Sequence, residues 1–147
     1  MPGDRVLRIQ RLLAAPPDAV FAAWTDPNRL AGWWGPEGMS IPHHEMDVRQ
    51  GGAWLTTMRA PDGNEVTVSG VYRIIDPPKR LVFTWAWHND GERSDDETEV
   101  AVDFAPVEGG TRLTLVQQTF ASVESRDNHH KGWDSTFNGL EKFLKAA

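Results

Sequence analysis

Cysteine is missing from this chain, which excludes disulfides, thiolate nucleophiles and cysteine-bound zinc. No apolar run approaches the ~18 residues of a spanning helix. Met1 to Gln10 lacks the apolar core of a secretion signal. These absences predict no membrane insertion and a cytoplasmic protein. Basic residues are sparse and scattered: 15 Lys and Arg against 21 Asp and Glu give a formal charge of −6. Without a basic stripe, neither nucleic-acid binding nor polybasic docking on an anionic membrane is expected. No Gly-x-Ser-x-Gly turn and no phosphate-cradling glycine pattern occur. Tyrosine appears once, whereas there are seven tryptophans and six phenylalanines. That imbalance reads either as a well-filled aromatic core or as an aromatic-lined pocket.

What is present is an ordered series of elements in one domain of 147 residues. Arg5 to Leu13 reads as a first strand. Pro17 and Asp18 suit the first turn of a helix through Trp24, because proline has no N–H to lose there and a carboxylate meets the positive helix end. Asp26 or Asn28 then caps a second short helix reaching Leu30 to Trp34. Strands follow at His43 to Arg49, Trp54 to Arg59, Val66 to Ile75, Leu81 to His88, Thr98 to Phe104 and Thr111 to Phe120, separated by Gly, Pro, Asp and Asn turns. The acidic stretch Asn89 to Glu97 reads as a loop. From Gly132 to Leu144 the apolar residues Trp133, Phe137, Leu140 and Leu144 share one face of a long final helix.

Period-2 alternation sets the buried face of the strands. Leu81, Phe83, Trp85 and Trp87 alternate, as do Trp54, Thr56 and Met58, and Leu113, Leu115, Gln117 and Thr119. One wet face and one apolar face indicate an antiparallel sheet with the helix laid on it. The expected fold is therefore α+β: about seven curved antiparallel strands wrapped round a long C-terminal helix, with two short helices after the first strand.

Five segments in order carry a family resemblance: Pro17 to Pro27, Leu30 to Gly35 with its Trp-Trp-Gly, Gly51-Gly52, Asp76 to Leu81 before Phe83-Thr84-Trp85, and Gly132-Trp133. Together they resemble the activator of heat-shock-protein-90 ATPase homologue-like family, within the START-like (SRPBCC, Bet v 1-like) helix-grip superfamily. The resemblance spans nearly the whole chain. It implies the helix-grip fold and a central cavity of the kind that takes lipids, sterols or polyketides. The family's name implies a stress-response co-chaperone role, although the eukaryotic namesake stimulates the chaperone through a separate amino-terminal domain.

The residues expected to line such a cavity are Trp54, Met58, Phe83, Trp85, Trp87, Trp133 and Phe137, with Trp33 and Met39 at its mouth. Gln117 places an amide on an otherwise apolar face, where protein, water or ligand must satisfy it. His129 lies one helical turn before Trp133, within reach of the rim. The pairs His43-His44 and His129-His130 do not supply the three or four convergent ligands that zinc requires, so no metal and no cofactor are expected. Asp134 and Glu141 flank the apolar stripe and read as solvated. The first functional reading is a module that binds a small apolar or amphipathic molecule. The second is a protein-interaction role, as a homodimer or on a chaperone. The third is an enzyme using His129, Gln117 or His88 in the same cavity.

Overall fold

The computed structural model describes residues 5–89, 91–118 and 120–146. The expected inner-face position of Thr119 and the Asp90 part of the acidic loop lie outside the described residues. The first strand, β1 (Leu7–Leu13), starts two residues after the expected Arg5. Helix α1 (Pro17–Thr25) follows, opened by Pro17, with Val20, Phe21, Ala23 and Trp24 buried. Asp26 caps α2 (Pro27–Leu30) by accepting the Asn28 N–H at 3.0 Å. This helix stops at Leu30, short of the expected Trp34. Trp33 and Trp34 lie in the turns beyond it, their amides bonded back to the Leu30 carbonyl.

The sheet continues with β2 (Ser40–Met46), β3 (Ala53–Arg59), β4 (Glu65–Asp76), β5 (Arg80–Asn89), β6 (Glu92–Arg93), β7 (Thr98–Val107) and β8 (Gly110–Gln118). Its order is β1-β8-β7-β5-β4-β3-β2, antiparallel throughout, with β6 pairing only with β5. Thus β1 and β2, neighbours in sequence, end on opposite edges of the sheet, with α1 and α2 between them. The short β6 was not expected, because two residues, Glu92 and Arg93, show no period. At the centre, Leu81 to Ala86 are buried on both faces, against the one-sided burial expected. On the outward side Val82, Thr84 and Ala86 are all buried, and the Thr84 hydroxyl accepts the Val71 N–H at 2.9 Å. Gly70 marks the tightest approach: a Cβ there would lie 1.8 Å from the Thr84 carbonyl oxygen.

The final helix, α3 (Val123–Ala146), contains the expected apolar stretch from Gly132 to Leu144 and extends nine residues before it. Ser122 caps it, its hydroxyl accepting the Ser125 N–H at 3.0 Å. The first turns carry no apolar stripe, so periodicity could not reveal them. Helix and sheet are joined across β1 by Arg11, whose guanidinium donates to Asp134 at 2.6 Å and to Glu141 at 3.2 Å. Asp134 and Glu141 are therefore paired with Arg11 rather than merely solvated. The core between the layers is aromatic. Trp24, 1% exposed, packs against the rings of Trp33, Trp34, Phe83, Phe104, Trp133 and Phe137. No helix among the described residues is long and apolar enough to cross a membrane.

Candidate functional site: an apolar cavity under one half of the long helix

The C-terminal half of α3 is closed against the sheet. Phe137 and Leu140 are fully buried, and a Cβ on Gly139 would already lie 3.3 Å from the Trp33 carbonyl oxygen. Along the preceding part of the helix lies a cavity of about 350 Å³. Asn128, His129, Gly132, Trp133 and Thr136 form its helical wall, and Trp85 and Trp87 of β5 face them. Met58 of β3 and the loop residues Trp34, Gly35 and Pro36 complete it.

Gly132 lies on the helical wall of the cavity. A Cβ built on it meets nothing within 4 Å. Glycine inside a helix costs about 1 kcal/mol relative to alanine, and here no crowding requires it. Gly35, at φ +91°, turns the opposite wall in a conformation that disfavours other residues, and a Cβ there would press on the Met58 sulfur at 3.0 Å.

Thr136, Trp87 and His129 satisfy their polar groups within the protein, whereas Asn128 is exposed at the rim. Thr136 donates its hydroxyl to the Gly132 carbonyl at 2.8 Å. The Trp87 indole N–H donates to His129 Nε2 at 2.8 Å, and the opposite ring nitrogen, Nδ1, donates to the Ser125 carbonyl at 2.7 Å. Those two bonds define a neutral imidazole protonated on Nδ1. Burial lowers the proton affinity of His129, and the Ser125 carbonyl partly opposes that. With both nitrogens engaged, the ring is not poised as a free general base.

Gln117 has an unexposed side chain. Its carbonyl accepts the Trp133 indole N–H at 2.7 Å, and its amide donates to the Thr98 hydroxyl at 2.8 Å. Protein groups satisfy the amide, and it stands behind Trp133 rather than in the cavity. The indole N–H groups of Trp24, Trp54 and Trp85 have no oxygen or nitrogen partner and are enclosed among aromatic rings. Trp54 and Phe83 border a separate space of about 20 Å³, room for about one water molecule, together with Tyr72, whose phenol burial holds neutral.

Of the residues expected at the site, the structure brings Met58, Trp85, Trp87, His129 and Trp133 around the cavity. Trp33, Trp54, Phe83, Gln117 and Phe137 lie behind its wall as core. Trp33 turns inward to donate to the Ala23 carbonyl at 3.0 Å, so its neighbour Trp34 supplies the lining ring instead. Met39 packs beside Gly35 as a partly buried support. His88 bonds Ser69 at 2.7 Å on the other face of β5, away from the cavity, and His43 bonds Glu45 at 2.9 Å. Among the described residues no group of three potential metal ligands converges. Sequence reasoning missed Trp34, Gly35, Pro36, Asn128, Gly132 and Thr136 as lining residues. Gly132 carried a legible signal as a glycine inside a helical pattern, and Trp34 and Gly35 as part of the Trp-Trp-Gly segment.

An antiparallel sheet gripping a long helix, with an apolar hollow between them, defines a helix-grip protein of the SRPBCC class. Residues 14–145 match the family described as Activator of Hsp90 ATPase homolog 1-like protein, and the chain belongs to that family. The chain is similar to the crystal structure of the AHSA1 protein from Silicibacter pomeroyi, with 34% identity, a TM-score of 0.89, and coverage of 96% of this chain and 98% of that one. A protein from Nitrosomonas europaea is 29% identical with a TM-score of 0.84, covering 99% and 97% of the two chains. The solution structure of an AHSA1-like protein from Aeromonas hydrophila, at 23% identity, 96% and 92% coverage and a TM-score of 0.78, shares the fold. No match emerged among curated proteins.

Proposed function

We propose that this protein binds an uncharged apolar or weakly amphipathic small molecule in the cavity under α3. The observation that carries the reading is Gly132: a helix-interior glycine that destabilises the helix while nothing fills the space beside it. The cavity volume of about 350 Å³ lies within the ~300–1,000 Å³ common for ligand pockets, and apolar rings dominate its lining. Among the described residues no Lys or Arg lines it, which disfavours a carboxylate ligand such as a fatty acid.

The test is Gly132→Leu with the neutral fluorescent probe N-phenyl-1-naphthylamine. The leucine projects into open space, so the fold should be retained or slightly stabilised. Probe affinity should fall at least about tenfold, the equivalent of ~1.4 kcal/mol. A folded variant that binds the probe as tightly as the parent chain overturns the assignment.

A further inference from the structure

Behind the Trp87 ring lies a second pocket of about 420 Å³. Its walls are polar: Arg5 from the segment before β1, Asn89 of β5, Asp95, Asp96 and Glu97 from the β6–β7 loop, and Ser125 of α3. The apolar cavity and this outer pocket share three residues, Trp85, Trp87 and His129. Those side chains thus form a wall with an apolar chamber on one side and a polar chamber on the other. Trp85 is buried, whereas Trp87 and His129 are half-buried. One hydrogen bond, from the Trp87 indole N–H to His129 Nε2 at 2.8 Å, holds the latter two together.

We propose that the outer pocket is the second chamber of the same binding site, and that the Trp87–His129 pair is a partition that opens when the imidazole takes up a proton. The ligand would then be an amphiphile with an apolar body in the inner chamber and a non-anionic polar end in the outer one. This rests on reading the inner cavity as a ligand site.

The chemistry of opening follows from the donor inventory. Nδ1 already donates to the Ser125 carbonyl, so an added proton must go to Nε2. That removes the lone pair which accepts from Trp87 and sets two N–H donors against each other. On the cavity side the charged ring meets no carboxylate, only the apolar Trp34, Met58 and Trp133 and the neutral Asn128 and Thr136. On the outer side Asp95, Asp96 and Glu97 offer carboxylates, so the imidazolium is drawn outward.

Arg5 opposes that pull from the segment before β1, and Glu97 also serves Arg93 at 3.0 Å. From β5 the adjacent titratable group is His88, engaged with Ser69 on the far face. On α3 itself Arg126 is bonded to Asp127, and His130 is exposed. Carboxylates therefore outnumber cations around the outer chamber. Because burial lowers the proton affinity of His129, the partition is closed at neutral pH and opens only at a pH below the ordinary imidazole range.

The experiment is an NMR titration of the His129 ring nitrogens and the Trp87 indole proton, run beside stopped-flow uptake of N-phenyl-1-naphthylamine. The indole resonance should move in step with His129. Probe association should quicken about tenfold per pH unit on approach to that titration and then level off, following the open fraction. His129→Gln should flatten the pH profile, and Trp87→Phe should make uptake fast at neutral pH. An indole proton unmoved while His129 titrates, or a flat uptake profile in the parent chain, overturns the partition. If the probe binds at no pH while the indole proton still tracks His129, the inner-cavity reading falls and the second chamber falls with it.

Discussion

The two halves of α3 rest on the same sheet and do different things. In the C-terminal half, Phe137 and Leu140 are fully buried in the core. Along the stretch from Asn128 to Thr136 a cavity of about 350 Å³ remains beside the buried Trp133. The difference is made by few residues. Gly139 brings the backbone onto Trp33, whereas Gly132 faces a gap. Close packing on one side holds the helix in place, so that the other side can remain unfilled without the layers collapsing together. The comparison teaches that this helix has a structural half and an open half, and substitutions should separate them.

The largest expected difference is between Leu140→Ala and Asn128→Ala. Leu140 is fully buried, and its truncation should cost about 3 kcal/mol through lost transfer energy and a residual void. Asn128 is exposed at the cavity rim, so its truncation should stay within about 0.5 kcal/mol. Urea unfolding of the two variants measures both. Equal costs would erase the division between the halves.

Trp133 sits where the two halves meet, and its replacement gives the next effect. In Trp133→Phe the Gln117 carbonyl loses its 2.7 Å donor in a fully buried setting, a loss of about 1–3 kcal/mol. Adding Gln117→Leu removes the orphaned amide, so the double variant should be more stable than Trp133→Phe alone. If the second substitution makes matters worse, Gln117 has a role beyond bonding Trp133 and Thr98, and the boundary between core and cavity must be redrawn.

How much of this was legible beforehand divides along the same line. Strand alternation revealed the inner faces of β3, β5 and β8, and the spacing of Trp133, Phe137 and Leu140 revealed the buried stripe of α3. Packing leaves a periodic trace, and the closed half is packing. The cavity leaves a weaker trace, because it is defined by what is not packed. The pattern could not say which of Trp33 and Trp34 turns inward, since that depends on the Ala23 carbonyl waiting across a turn. Inner-face parity was right for Trp54, Phe83 and Gln117, yet parity cannot distinguish a residue on the cavity surface from one a layer behind it. The Trp87–His129 bond joins residues 42 positions apart and has no local signature.

The smallest effect is also the sharpest comparison: the same substitution at two helix glycines. Alanine in a helix interior is favoured over glycine by about 1 kcal/mol. At Gly132 the new methyl meets open space, so Gly132→Ala should gain close to that amount. At Gly139 the methyl lies 3.3 Å from the Trp33 carbonyl oxygen, a contact that forces a shift of a few tenths of an ångström. Trp33 is itself fixed through its bond to Ala23, so the shift is resisted and the propensity gain is largely offset. Gly139→Ala should therefore change stability little. Paired thermal unfolding curves would show the gain at one glycine and not the other. If both gain equally, the closed half has slack that its burial conceals. If neither gains, the space beside Gly132 is occupied in solution, and identifying its occupant would identify the ligand.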